Sequence, residues 1–348
     1  MHVVKLLIIF TVLLVLSQCG KDNLDSTDIL IPEGKGHTSL STYNFFEGNV
    51  ADLIPNAEAG VLPYDLNMPL FSDYALKKRY IYVPPGVSIP FDTTQILDLP
   101  VGSVLIKHFY YRDASGIEDY VETRLLIRKN DGWQAETYEW NDEQTEATRT
   151  VIGGTRTMTA MVNGQTETFN YLIPNVNQCK NCHADDGEIE PIGPAIHNLN
   201  KSYDYSSGTA NQIDRWISDG ILENTSLSNI PAWPGMNHPT ASLTSKARAY
   251  LAVNCSSCHR LEGSAANSGL YLEYDNQDSL SLGFWKMPVA AGGGSGGLTY
   301  VIKPSVADES ILLYRMISDE VDERMPEIGR ALSHEEGISL IRDWIDSQ

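Results

Sequence analysis

The sequence predicts a multidomain protein, with an N-terminal all-β domain followed by two mainly α-helical units. Between residues 43 and 174, apolar runs of strand length are bounded by turn residues, and long apolar stripes at helical spacing are absent. After residue 174, a Cys-x-x-Cys-His motif occurs twice, and apolar residues recur at helical spacing around the motifs. A chain of 348 residues is long enough for two or three such domains.

The first 18 residues have the pattern of a secretory signal peptide. Lys5 precedes an apolar run, residues 6–16, that is shorter than the roughly 20 residues a helix needs to span a bilayer. Cys19 follows the run in a context that resembles a bacterial lipobox, although Gln18 replaces the small residue usual at that place. We predict cleavage before Cys19 and its lipidation; an ordinary cleaved signal peptide is the alternative.

The cysteine count supports a lipid anchor. Cys19 is the only one of five cysteines outside the two motifs, and lipidation would give this exported thiol a role. Residues 19–42 are polar and are predicted to be a lipidated tether without packed structure. We therefore expect an exported bacterial lipoprotein, located in the periplasm or cell envelope and attached to a membrane through lipid.

The chain is strongly acidic. Its formal net charge is -20 at pH 7, from 25 Lys and Arg against 45 Asp and Glu. This balance argues against nucleic acid or an anionic membrane surface as a partner. A basic or neutral redox partner is compatible with it, and so is a charge that only keeps an exported protein soluble.

The β-rich domain is predicted to span residues 43–174. Asp131-Gly132 and Asn163-Gly164 are dipeptides typical of hairpin turns. The segment shows no catalytic constellation, so we expect a structural or partner-binding role. Its clearest strand signals are residues 79–83, 104–111 and 121–127.

The two motifs have the composition of covalent haem attachment sites. In such a site the two thiols bond to the haem vinyl groups and the imidazole binds the iron. Four cysteines could instead bind zinc, or one pair could form a redox dithiol or disulfide. A histidine directly after both pairs favours two covalently bound haem c groups. The attachment residues would be Cys179, Cys182, Cys255 and Cys258, with His183 and His259 as iron ligands.

The motifs divide the rest of the chain into a first haem unit, residues 175–240, and a second, residues 241–348. Helical spacing predicts a helix over residues 211–222 in the first unit. In the second, Thr244 is the predicted N-cap of a helix that runs into Cys255. The order helix, haem motif, loop, helix, Met, helix resembles a class I cytochrome c domain, which implies two mainly α-helical cytochrome c-like haem domains.

The distal iron ligands are harder to assign. Met325 precedes the last helix, as the distal Met does in cytochromes c, and is predicted to ligate the second haem; Met287 is the alternative. For the first haem, Met236 is at a workable separation from its motif. His238 or His197 would give a bis-His site, and an open iron is also possible.

The chain resembles an uncharacterised family of exported bacterial di-haem c-type cytochromes that have an N-terminal β-rich domain. Its C-terminal part is similar to cytochrome domains appended to sugar dehydrogenases, which implies electron acceptance from an oxidoreductase. The resemblance rests on residues 254–259, 268–270, 288–292, 308–312 and 325–330.

These features predict an electron-transfer protein without catalytic residues, which relays electrons between a redox partner, such as an exported dehydrogenase, and a respiratory acceptor. The main alternative is a di-haem cytochrome c peroxidase-like enzyme in which the first haem has an open face. A third possibility is a binding module whose β domain docks a partner or glycan.

Overall fold

A computed structural model of the chain describes residues 28–185, 188–289, 291 and 294–348. The predicted signal peptide and Cys19 lie outside the described residues. Among those described, no helix combines the length and apolarity needed to cross a lipid bilayer.

A six-stranded antiparallel sheet forms the N-terminal half, and its strands follow one another in chain order. A separate antiparallel hairpin, β7–β8, follows the sheet. The sheet strands are β1 (Val61–Tyr64), β2 (Leu76–Tyr82), β3 (Val104–Arg112), β4 (Glu118–Lys129), β5 (Gly132–Trp140) and β6 (Ala147–Thr150), and the hairpin strands are β7 (Gly154–Val162) and β8 (Gln165–Ile173).

The C-terminal half combines six helices with two short antiparallel ladders among the described residues. The helices are α1 (Val176–His183), α2 (Ile196–Leu199), α3 (Gln212–Ser218), α4 (Leu243–Asn254), α5 (Ile311–Ile317) and α6 (Glu335–Asp346). The ladders pair β9 (Ala184–Asp185) with β10 (Glu188–Ile189) and β11 (Ser202–Tyr205) with β12 (Gly208–Asn211).

The prediction of two mainly α-helical cytochrome c-like domains is wrong, because the described chain is mostly β and its helices are short. The helix expected over residues 211–222 shows why. It ends at Ser218, and Gly220 then takes a positive φ of 72°. Leu222, expected in the last helical turn, instead bridges Ile89 of the β-rich half in parallel. Pairing with a distant segment outweighs the local helical pattern.

One face of the sheet is covered by the N-terminal segment. Leu40 and Tyr43 are fully buried against it, and the Leu30 amide donates a hydrogen bond to the Tyr43 carbonyl over 3.1 Å. Ser39 forms a bridge with Thr148 of β6. The prediction of an unpacked tether is therefore wrong for residues 28–42. A few apolar side chains are enough to hold this segment in place, because they are buried against the apolar face of the sheet.

The opposite face of the sheet packs against the C-terminal half. We call this contact the sheet–helix core; it includes Ile81 and Leu105 from the sheet and Ile213 and Trp216 from α3. Residues 175–240, the predicted first haem unit, thus share a core with the β-rich half. A second core, in which α4, α5 and α6 bury a cluster that includes Trp344, also contains Met68 from the N-terminal half.

Trp216→Ala is expected to lower the free energy of unfolding by about 3–5 kcal/mol, because it deletes a fully buried indole and leaves a cavity. Denaturant unfolding followed by far-ultraviolet circular dichroism measures this loss. The solvent-exposed Trp285→Ala provides the control and is expected to change stability by less than about 1 kcal/mol. Equal losses in the two variants would contradict a shared sheet–helix core.

Candidate haem centre

The first motif lies on helix α1, which begins with a reciprocal cap. The Asn175 side-chain oxygen accepts the amide of Gln178, and the Gln178 side-chain oxygen accepts the amide of Asn175, each over 2.9 Å. Cys179 and His183 are four residues apart in the helix and therefore lie on the same face. The cap fixes where the motif helix starts.

The His183 ring is held in one orientation by the hairpin that follows it. Its Nδ1 lies 2.8 Å from the Glu190 carbonyl oxygen, so Nδ1–H donates and Nε2 is left as the free ligand atom. Burial lowers the pKa of His183 to about 4, which makes the ring neutral at pH 7. A neutral imidazole with an oriented Nε2 is the form that binds a metal ion.

The second motif follows the end of α4. Cys255 caps the helix, and the His259 amide donates to the Cys255 carbonyl over 3.0 Å, which winds the motif into one further turn. Burial lowers the pKa of His259 to about 4, so this imidazole is also neutral at pH 7. Gly263 lies against the motif: a Cβ there would stand 2.3 Å from the Cys258 carbonyl oxygen.

The two motifs, which lie more than 70 positions apart in the sequence, meet in space. The Cys258 thiol lies 3.6 Å from the Asn181 carbonyl oxygen, and the Ser264 hydroxyl donates to the same oxygen over 3.2 Å. The thiols of Cys182 and Cys258 are close to each other, and their interaction raises the pKa of Cys182 and lowers that of Cys258. One cysteine of each motif therefore lies at a common contact.

The cysteines and histidines of the two motifs can be compared with the ligands that zinc and haem require. Within the described residues, no group of three or more His, Cys, Asp or Glu side chains is arranged to hold a metal ion, whereas a structural zinc site takes four ligands. All four motif cysteines are free thiols, as thioether formation requires. Covalent haem needs two thiols and one imidazole per motif, and each motif supplies this set.

The structure places the two candidate ligands of the second haem differently. The Met325 amide donates to the Arg315 carbonyl over 2.8 Å, and the Arg315 charge is close enough to His259 to contribute, after burial, to its lowered pKa. Met325 is half-buried, whereas Met287 is 65% exposed. Met325 is thus the more buried of the two, and its backbone is bonded to Arg315, whose charge acts on His259.

The candidate ligands of the predicted first haem, Met236, His238 and His197, contact other parts of the described chain. Met236 packs against the core of the second unit, as does Cys255. The exposed His238 accepts the amide of Ala241 on its Nδ1 over 3.1 Å. The His197 carbonyl accepts the Trp233 amide over 2.8 Å.

The sequence interpretation overlooked a row of basic residues on the sheet. Arg79, Lys107 and Arg124 lie directly opposite one another on β2, β3 and β4. Lys107 and Arg124 are close enough to His183 to contribute to its lowered pKa, after burial. The sequence shows that apolar strand patterns contain cations at these three positions. Whether the three cations lie side by side depends on the strand register, which the sequence does not give.

No family model matches the chain, and neither curated proteins nor solved structures show a significant match to it. The resemblance to exported di-haem cytochromes therefore remains a prediction based on the motifs.

Proposed function

We propose that this chain is an exported di-haem c-type cytochrome that relays electrons between a redox partner and a respiratory acceptor. The observation that carries the proposal is the contact between the two Cys-x-x-Cys-His motifs through Asn181, Ser264 and the facing thiols. Haem groups attached at neighbouring cysteines would be close to each other, and a short separation is what electron transfer between them requires.

Each residue of the motifs has a defined role in this proposal. The cysteines of each motif would attach one haem, and the imidazole of His183 or His259 would bind its iron. Bound haem would supply a one-electron couple. Met325 would be the second protein ligand of the second iron, a ligand type that favours a high potential. The acidic chain would dock basic or neutral partners, and lipid on Cys19 would hold it at a membrane.

The relay predicts electron exchange within one molecule. Oxidised protein mixed with half an equivalent of reductant should redistribute the electron between its haems at a rate independent of protein concentration. Freeze-quench electron paramagnetic resonance can follow the two ferric signals separately. A redistribution rate proportional to protein concentration would show that electrons pass between molecules and would contradict the relay.

A peroxidase is the second candidate because of the environment of the first motif. Within the described residues, no hydrogen bond or ring contact joins His183 to Met236, His238 or His197, and a first iron that none of them ligates would be open. The buried Glu122 carboxylate, with Arg124 and the Tyr171 hydroxyl bonded to it, is near Cys179. Two results would favour the peroxidase over the electron relay: rapid cyanide binding by the first haem, and turnover of hydrogen peroxide with a reduced cytochrome as electron donor.

A further inference from the structure

The basic row on the sheet is electrostatically unfavourable by itself. In the register of the sheet, Arg79 is opposite Lys107, and Lys107 is opposite Arg124. Like charges directly opposite on neighbouring strands destabilise a sheet. In a chain with a formal net charge of -20, three adjacent cations on one face of the sheet indicate that an anion binds at this place.

Carboxylates of the protein balance the two ends of the row but not its centre. Arg79 pairs with Asp65 over 3.0 Å, and the Arg124 Nε donates to the Glu122 carboxylate over 2.9 Å. Lys107 has neither an ion pair nor a hydrogen bond with any residue that the structure describes. Its ammonium nitrogen lies 5.7 Å from the ring centre of Phe109. The Glu122 carboxylate, which is bonded to Arg124, acts on Lys107 through its charge, but it forms no ion pair with it, so the middle cation can still pair with an added anion.

The first haem motif lies beside this row. Leu105 is two residues from Lys107 and points to the same face of the sheet, where it belongs to the sheet–helix core. Cys179 packs against that same core. Burial raises the pKa of the Cys179 thiol, and the charge of Arg124 opposes that increase. Burial likewise lowers the pKa of Lys107 to about 7; Arg79 and Arg124 add to the effect, and Glu122 and Cys182 oppose it. A further anion nearby would stabilise the charged form of Lys107.

We propose that Lys107, flanked by Arg79 and Arg124, binds a propionate of the haem attached at Cys179 and Cys182. The inference rests on the proposed function, since it requires that haem. A propionate carboxylate is an anion that can accept charge-assisted hydrogen bonds from an ammonium or a guanidinium group. The β-rich half then has a specific role: it supplies the counter-charge of the first haem.

A cation near a haem favours the reduced state, because reduction adds an electron. Lys107→Gln should therefore lower the potential of the first haem, with an about tenfold higher ferric-to-ferrous ratio at a fixed potential, equivalent to about 59 mV for a one-electron couple. The second haem should keep its potential. Spectroelectrochemical titration measures both.

Two matched variants control for charge and for folding. Lys107→Arg keeps the positive charge and should retain the wild-type potential. Lys78→Gln removes a cation from the opposite face of the same sheet, where Lys78 pairs with Glu118 over 2.6 Å, and should leave both haem potentials unchanged. If Lys107→Gln yields no folded protein, resonance Raman spectra of the wild type in H2O and D2O supply the test, since a propionate bonded to an ammonium group shifts its bending mode on deuteration.

The possible outcomes separate this inference from the proposed function. If Lys107→Gln carries two attached haems with unchanged potentials, the propionate contact is overturned and the relay is left intact. A wild-type propionate mode that is insensitive to deuteration would have the same consequence. A changed spin state in Lys107→Gln would identify Lys107 as an iron ligand and would also overturn the contact. A wild-type protein without covalent haem would refute the proposed function itself.

Discussion

Met325→His is expected to lower the reduction potential of the second haem by about 0.2–0.4 V, within the roughly 0.8 V range that axial ligands cover. An imidazole stabilises ferric iron relative to a thioether, so its introduction favours the oxidised state. The segment that contains Met325 is positioned by the Arg315 carbonyl, near His259. Spectroelectrochemical titration should show one shifted couple and one unchanged couple.

Met287→His is the matched control for this prediction. Met287 is also followed by proline, but it is 65% exposed, so its replacement should shift neither potential. The weak long-wavelength ferric absorption of Met-ligated haem should decrease in Met325→His and persist in Met287→His. The reverse pattern would assign the second iron to Met287 and reject Met325.

Local features of the fold could be predicted from the sequence. Asn163 and Gly164 form the two-residue turn between β7 and β8, both with positive φ, as this dipeptide predicts. The other turn was shifted by one residue, because Lys129 pairs with Gly132 and leaves Asn130 and Asp131 as the loop. Turn dipeptides thus locate a hairpin, while cross-strand packing sets its register.

Helix boundaries were predicted less well than helix positions. Helix α4 runs into the second motif as expected, but its N-cap is Ser242, whose hydroxyl accepts the Ser245 amide over 3.1 Å, and not Thr244. The prediction of two cytochrome-like domains was wrong because of contacts between distant parts of the chain. Residues that were expected to be helical pair with distant segments, such as Leu222 with Ile89, and a periodicity within a short window gives no information on such contacts.

The residues of the candidate site could be chosen from the sequence, whereas their arrangement in space could not. The spacing of cysteine and histidine identified all six motif residues. The contact between Asn181 and Cys258 depends on how the sheet–helix core and the second core pack together. The basic row depends on strand register in the same way, so both required the three-dimensional structure.

Replacement of both cysteines in one motif is expected to remove one haem and leave the other attached. The first motif lies on α1 and the second follows the end of α4, and thioether bonds form independently at each pair. Cys179→Ala/Cys182→Ala and Cys255→Ala/Cys258→Ala should therefore each retain about half of the wild-type haem. A pyridine haemochrome assay measures this content, and loss of both haems from either variant would contradict independent attachment.

The intact mass of the wild-type protein, produced with the c-type maturation machinery and extracted with acidic acetone, tests the central claim most directly. Thioether bonds are covalent and survive this extraction, so the mature chain should carry the added mass of two haem groups. A chain with one haem, with none, or with stoichiometric zinc in place of haem would contradict the di-haem account.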